Sequence, residues 1–142
     1  MSHYTLIHTE VRREHMDCLL KALTEIDTRT GKTWPWDAIQ IHAKPVQLEG
    51  YQGDRREQRA HIVIPRKYVG PAANDIGIEW RDGLAVLHVS EYDAATYYGA
   101  EWQGRLAQRY AVNVAKKMAP VGYQVEERTE ADGTVVLEMR RA

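Results

Sequence analysis

The sequence predicts an α+β domain, with a mostly antiparallel sheet and two helices packed on one of its faces. Apolar residues recur at helical spacing in two stretches, 13–26 and 100–118, whereas the segments between and after them are rich in Val and Ile. Short glycine-containing turns separate most of the predicted strands, which is typical of hairpins rather than of parallel crossovers. The expected order is β-α-β-β-β-β-α-β-β, with residues 1–142 forming one domain.

Three elements are predicted at the start of the chain. Residues 3–9 alternate weakly between apolar and polar and are expected to form a first strand. Residues 13–26 are expected to form a helix, because their apolar side chains fall on one helical face. This stripe consists of Met16, Leu19, Leu20, Leu23 and Ile26. Residues 27–37 are polar, contain Gly31 and Pro35, and are predicted to form a loop.

The next stretch is predicted to contain two strands joined by a turn. Residues 38–48 are strand-like, but the apolar positions change parity around Pro45, which predicts a bulge or an edge position. Residues 49–59 contain two glycines and several charges, and we expect a turn there. Residues 60–65 alternate clearly and predict a strand.

Residues 75–90 give the strongest hairpin pattern in the chain. Asp82 and Gly83 supply the turn, since both tolerate positive φ. The returning strand is apolar on both of its faces, and a central strand covered on both sides is therefore expected.

The long amphipathic helix at 100–118 is the main predicted core element. Its stripe consists of Trp102, Leu106, Tyr110, Val114 and Met118. We expect it to end near Ala119, because Pro120 cannot continue a helix and Gly122 can adopt a left-handed conformation. A second hairpin should follow, turning at 131–133.

Composition excludes several functional classes. The net charge is −1, so no overall field attracts the chain to nucleic acid or to anionic membranes. The single cysteine, Cys18, cannot form an internal disulfide and is interpreted as a packing residue in a reducing compartment. There is no signal-peptide pattern and no apolar run long enough to span a membrane, and a cytoplasmic location is expected.

No established catalytic or ligand motif occurs in the sequence. Phosphate-binding glycine loops, the H-E-x-x-H zinc motif and the G-x-S-x-G nucleophile motif are all missing. The six histidines do not have metal-ligand spacing. We therefore predict no catalytic, cofactor-binding or metal-binding residues, which favours a non-catalytic protein.

Aromatic and basic residues outside the predicted core form a candidate binding surface. They are Trp34, Trp36, Tyr51, Arg55, Arg59, Arg105, Gln108 and Arg109. Several of them have a structural alternative. The two tryptophans would fold over the edge of the core, the arginines at 55–59 would be solvated in a loop, and Arg109 would hold hairpin strands by pairing with an acidic residue.

Several short blocks occur in an order that resembles a known family. They include the D-C-L-L-K-A-L stretch at 17–23, and the others are Gly50-Tyr51-Gln52-Gly53, Ile62-Val63-Ile64-Pro65, Asp75-Ile76-Gly77, Gln108-Arg109-Tyr110 and Gly133-Thr134-Val135. Together they resemble the hypothetical chloroplast reading frame thirty-five family, a domain of unknown function of plastid genomes and of bacteria including cyanobacteria. The chain departs from the family pattern at 28–37 and after Ser90. The resemblance implies no activity; it implies a partner protein, with ATPases of the AAA type as one class.

Three functional hypotheses follow. The first is a non-catalytic binding or assembly module, whose partner protein or own second copy docks on the sheet edge, on the Trp34/Trp36 loop or on the Tyr97–Tyr98 segment. The second is a nucleic-acid-contacting domain that uses the arginines at 55–59. The third is an enzyme or small-ligand protein, with a site assembled from scattered residues such as His3, Asp75, His88 and Arg109.

Overall fold

Four antiparallel strands and two helices on one face of their sheet form the core in this computed structural model, which describes residues 10–28, 31–132 and 134–142. The strands are β1 (Gln40–Glu49), β2 (Arg55–Ile64), β3 (Ile76–Arg81), β4 (Leu84–His88), β5 (Tyr123–Thr129) and β6 (Val135–Arg141). The helices are α1 (Met16–Glu25), α2 (Arg66–Val69), α3 (Glu91–Asp93) and α4 (Trp102–Met118). The predicted α+β class is confirmed. The strand expected at 3–9 lies outside the described residues.

The core lies between the two long helices and the sheet. Leu19 and Leu23 of α1, Ile62 of β2, Ile78 of β3 and Trp102 of α4 are all buried in one cluster. Each buried Leu or Ile side chain stabilises the fold by roughly 1.5–3 kcal/mol. The helix predicted at 13–26 is confirmed, and its first turn is a 3-10 turn at Arg13–His15.

Helix α4 matches the predicted amphipathic stretch and ends where the sequence indicates. Its last residue is Met118, and Gly122 follows with a φ of 86°. The stripe is buried at its first three positions, whereas Met118 is 63% exposed. No helix among the described residues combines the length and the apolar character needed to cross a membrane.

Strand β2 begins earlier than the sequence predicts. The strand order in the sheet is β1-β2-β3-β4, and the register of β1 against β2 shifts between Ile41 and Val46, which confirms the irregularity expected around Pro45. Arg55 pairs with Glu49 and Arg59 with Gln47, so residues 55–59 are strand, and the turn predicted for the whole of 49–59 is wrong there. These residues are exposed and polar on both faces, and such a strand lacks the alternation that would reveal it.

Strand β4 has two apolar faces, which predicted a central position covered on both sides. The hairpin with β3 is confirmed, with positive φ at Asp82 and Gly83. In the described sheet, however, β4 is the last strand, and the chain around Arg12 contacts its outer side through an isolated bridge to Leu84. Only one face of β4 packs on the core, which leaves Leu84 36% exposed.

The final hairpin forms a separate two-stranded sheet. Strands β5 and β6 pair with each other in full register from Tyr123–Arg141 to Thr129–Val135. Arg109 of α4 donates two hydrogen bonds to the Glu127 carboxylate, at 2.9 Å and 2.6 Å. The alternative interpretation of Arg109, as a residue that holds this hairpin, is therefore confirmed.

A buried histidine side chain on β2 accepts a hydrogen bond from the backbone of β3. The His61 Nδ1 atom accepts a hydrogen bond from the Trp80 backbone N–H at 3.0 Å, and the residue is 7% exposed. Burial, and then the charge of Arg13, lower the pKa of His61 below its ordinary value of 6.5. An imidazole that accepts through Nδ1 must be unprotonated on that atom.

We expect this histidine to make the fold sensitive to mild acid. Between about pH 6.5 and the lower pKa of the folded state, the unfolded chain binds more protons at position 61 than the folded chain does. The free energy of unfolding therefore falls as the pH decreases through this range, by at most about 1.4 kcal/mol per pH unit. Urea denaturation of the wild type and of His61→Gln between pH 7.5 and 5 checks this. The variant should lose that part of the pH dependence, and equal slopes for both proteins would contradict the assignment.

Candidate binding groove

Three segments border a groove of about 380 Å³ on the surface of the protein. They are the loop residues Thr28 and 32–35, the segment 68–71 at the end of α2, and the pair Thr96–Tyr97. Most of the side chains that face the groove are aromatic rings, prolines or aliphatic groups. We call this feature the aromatic groove.

Trp34 forms the rigid base of the aromatic groove. Its ring packs edge-on against Tyr98 and Trp102, with centroid distances of 6.1 Å and 5.4 Å. Its indole N–H donates to the Tyr68 carbonyl oxygen at 3.1 Å. Trp34 is only 5% exposed, so it belongs to the core and not to the exposed surface on which the sequence predicted it. This matches the alternative in which the ring folds over the core edge.

Tyr97 forms one wall and is held in place at both ends. Its hydroxyl accepts a hydrogen bond from the Ala72 backbone N–H at 3.2 Å. Its ring lies so close to Gly70 that a Cβ atom added there would come within 2.3 Å of the ring. Glycine at position 70 therefore allows the close approach of the turn to the tyrosine.

The segment before α4 sets the position of this wall. Residues Ala94–Tyr98 form a π-helical turn, in which the Gly99 N–H donates to the Ala94 carbonyl oxygen. Tyr98 is buried in the core while its neighbour Tyr97 faces the aromatic groove. π-helical turns of this kind are often found at functional sites.

The rim of the aromatic groove carries positive charge. Lys32 lines it and is exposed. Lys67 lines a neighbouring hollow that shares Tyr68, and its Nζ atom is 5.1 Å from the centroid of the Tyr68 ring. Tyr68 is 38% exposed, which makes it an accessible aromatic contact. The groove thus presents apolar rings with one cation in its lining and a second beside Tyr68.

Two other residues of the predicted surface are exposed but lie outside the described lining of the groove. Trp36 is 56% exposed in the short turn Trp36–Ala38. Tyr51 is 50% exposed, and its backbone N–H donates to the Asn74 side chain while its carbonyl oxygen accepts from Arg66. Both rings remain available to a partner, although the structure does not bring them into one contiguous site with Trp34.

The arginines at 55–59 are exposed, but they do not form one basic patch. Arg56 lines a cleft together with His88, whereas Arg55 lines a different hollow together with Gln40. Arg55 also lies directly opposite Glu49 in the register of β1 against β2. Acidic neighbours and the separation of the side chains weaken the case for a phosphate-binding surface.

The basic residues of α4 serve the fold. Arg105 donates to the Asp27 carbonyl oxygen at 2.7 Å, and Arg109 holds Glu127 as described above. The bond to Glu127 raises the pKa of Arg109 and lowers that of Glu127. Gln108 lies exposed between them.

Comparison with known families places the chain in one of them. A family model described as a protein of unknown function, DUF1257, matches residues 38–137, which is more than half of the chain. The chain belongs to the DUF1257 family. This agrees with the resemblance to a family of unknown function seen in the sequence. Searches among curated proteins and among solved structures found no match.

The matched region contains only part of the aromatic groove. It begins at Ala38, directly after the stretch 28–37 in which the sequence departs from the resemblance. Tyr68 and Tyr97 are inside the match, whereas Trp34 precedes it. In this DUF1257 chain, the walls of the groove therefore lie inside the region that matches the family model, whereas its base lies outside that region.

A second, polar cleft lies on the sheet face opposite the helices. Asp75 and His88, two of the residues proposed for a scattered ligand site, both line it; Arg109 lies elsewhere, and His3 is outside the described residues. The His88 Nε2 atom is 3.1 Å from a Glu79 oxygen. The cleft measures about 130 Å³, well below the roughly 300 Å³ of the smallest typical ligand pockets.

The carboxylates below this cleft tie loops of the DUF1257 chain together. Asp75 accepts hydrogen bonds from the backbone N–H groups of Glu49 and Arg66, at 2.7 Å and 2.8 Å. Burial raises the pKa of Asp75, and these bonds oppose the rise. Asp93 is 1% exposed, and its Oδ2 atom accepts from both the backbone and the side chain of Asn74. Both carboxylates thus have clear structural roles.

A cluster of possible metal ligands near the start of α1 is already occupied by an ammonium group. The His15, Asp17 and Cys18 ligand atoms lie within 4.8 Å of one another. The Lys117 Nζ atom is 3.2 Å from His15 Nδ1 and 3.0 Å from Asp17 Oδ1. The bond to Lys117 lowers the pKa of Asp17, and burial raises the pKa of the Cys18 thiol. We interpret the cluster as an ion pair that joins α1 to α4.

The sequence did not single out the turn at 68–71. Gly70 and Pro71 are residue types typical of a loop, but nothing marks Tyr68 or Val69 as neighbours of Trp34. The contact depends on a hydrogen bond between residues 34 positions apart. Spacing within one segment cannot reveal such a contact.

Proposed function

We propose that this DUF1257 protein is a non-catalytic binding module whose aromatic groove takes an extended segment of a partner protein. The observation that carries the proposal is a concave surface walled by Tyr68, Pro71 and Tyr97 over a Trp34 base. Aromatic-lined grooves of this kind bind extended peptide segments in several domain families. Partly fixed rings lose little conformational entropy on binding.

The charges at the rim define the chemistry of the partner segment. Lys32 in the lining and Lys67 beside Tyr68 would attract acidic side chains, while the rings of the groove would cover apolar ones. The proposed ligand is therefore an extended segment with alternating or adjacent apolar and acidic residues. The resemblance described above makes an ATPase of the AAA type the first class of whole-protein partner to test.

A pair of glycine variants tests this function. Gly70→Ala places a methyl group against the Tyr97 ring and should move that wall, whereas Gly104→Ala adds a methyl group where no atom lies within 4 Å. We would select ligands from a displayed library of random twelve-residue peptides on the wild-type protein. Their affinity for the three proteins would then be measured by fluorescence anisotropy.

We expect the selected peptides to combine apolar and acidic residues and to bind Gly70→Ala roughly tenfold or more weakly, with Gly104→Ala like the wild type. Thermal melts of both variants would establish that they are folded. Peptides that bind Gly70→Ala as tightly as the wild type, or a failure to enrich any sequence, would refute the groove as the binding site. The same variants apply to titrations with a purified AAA-type ATPase from the same genome.

A further inference from the structure

The outer edge of β6 is open in the part of the chain that the structure describes. There, β6 pairs only with β5, and these two strands form their own sheet. A two-stranded sheet is marginally stable by itself, and an open edge offers a row of backbone donors and acceptors to another strand. The hairpin is held to α4 mainly by the bonds of Glu127 to Arg109 and Lys116.

Apolar side chains remain exposed along this edge. On β6, Leu137 is 37% exposed and Met139 is 55% exposed. Both lie on the same face of the strand, two residues apart, and Met139 is opposite Val125 of β5. Pairing with another strand at this edge would cover part of both side chains.

The charges of β6 complement those of an identical strand. Glu138 and Arg140 flank Met139 and share the opposite face of the sheet. We propose that a second copy of this chain pairs antiparallel along β6, with the two-fold axis at Met139. In this arrangement Glu138 lies directly opposite Arg140 of the second copy, and the reverse pair is formed by symmetry. The two hairpins then form one four-stranded sheet.

The charges also select this register among its neighbours. An axis at Glu138 would place that carboxylate opposite itself, and an axis at Arg140 would do the same with the guanidinium. An axis at Leu137 would place Glu138 opposite Val136 and pair no charges. Only the register centred on Met139 pairs opposite charges twice, while Leu137 packs under the aliphatic part of Arg141 of the second copy.

Within one chain these charges already have partners. Glu138 accepts from Arg128 and Arg140, at 2.9 Å and 3.0 Å, and Arg140 also pairs with Glu126 at 3.2 Å. The dimer would extend this network across the two-fold axis. The contribution of the interchain pairs must therefore be separated from their effect on the hairpin itself.

Two charge-reversed variants, measured alone and as a mixture, separate the effect on dimerisation from the effect on the hairpin. Sedimentation equilibrium over a range of concentrations would be run on the wild type, on Glu138→Lys, on Arg140→Glu, and on an equal mixture of the two variants. Each variant alone would bring like charges together twice, whereas the mixed dimer would restore two opposite pairs. We expect a wild-type dimer of the 16.3 kDa chain, a dissociation constant roughly tenfold or more higher for each variant alone, and recovery in the mixture.

The control is Arg128→Glu. Arg128 lies on β5, and replacing it removes the bond that it donates to Glu138 without changing the charges of β6. It should dimerise as the wild type does. Three results would overturn the proposal: a wild type that is monomeric at about 100 μM, a mixture that associates no better than its components, or an Arg128→Glu variant that dissociates as strongly as Glu138→Lys. Circular dichroism melts of all variants would confirm that each is folded.

Discussion

Replacing Trp102 with alanine is expected to lower the free energy of unfolding by about 3–5 kcal/mol, the largest effect of any single change considered. Trp102 is 0% exposed, and its ring packs against both Trp34 and Tyr98. The substitution removes these contacts and leaves a cavity where the first turn of α4 meets the loop at 32–35. Urea denaturation followed by circular dichroism would measure the loss.

Two further tryptophan variants give this experiment its controls. Trp36 is 56% exposed, so Trp36→Ala should change the free energy of unfolding by no more than about 0.5 kcal/mol. Trp102→Phe keeps a ring in place and also removes an indole N–H that has no hydrogen-bond partner among the described residues, so it should cost well under half of the alanine change. If Trp36→Ala proved as damaging as Trp102→Ala, the assignment of the core centre would be wrong.

The second large effect is expected for Asp93→Ala, at roughly 2–4 kcal/mol. Asp93 is the acceptor for the backbone N–H and the side-chain amide of Asn74, at 2.8 Å and 3.0 Å. Removing the carboxylate would leave two donors without their acceptor in a largely buried site, at roughly 1–3 kcal/mol each with partial recovery from water. The change should appear in the same urea experiment.

Asp93→Asn and Asp132→Ala complete this test. The asparagine keeps an oxygen that can accept from Asn74, so it should cost less than alanine, although its amide must then occupy the side where Oδ1 has no partner in the described structure. Asp132 is exposed and accepts from the Thr134 backbone N–H, and its removal should have a small effect. An Asp93→Ala protein as stable as the wild type would show that water satisfies Asn74 equally well.

The sequence predicts the elements that have one apolar face and fails where that pattern is absent. The apolar stripe of Trp102, Leu106 and Tyr110 indicated α4, and the alternation around Asp82 and Gly83 indicated the β3–β4 hairpin. The start of β2 was missed because Arg55 and its neighbours pair as a strand beyond the edge of the core, where both faces are polar. Strand β4 is the last strand of the described sheet, and its two apolar faces alone do not determine which strand lies next to it.

The candidate groove was only partly accessible to sequence reasoning. Trp34 and Tyr97 were both named as docking positions, and the structure brings them to one groove. Tyr68 and Gly70 were missed, because their importance comes from contacts with Trp34 and Tyr97 that are distant in the chain. The role of Arg109 was open between binding and structure, and its two bonds to Glu127 decide that it anchors the hairpin.

The length of the π-helical turn at Ala94–Tyr98, rather than its amino-acid composition, determines how this segment connects the aromatic groove to the core. Its hydrogen bond from Gly99 to Ala94 spans one residue more than an α-helical bond would. That extra residue sets which of two consecutive tyrosines enters the core and which one lines the aromatic groove. Chains of this family that differ in length here would present a different side chain to the aromatic groove, even if every other groove residue were identical.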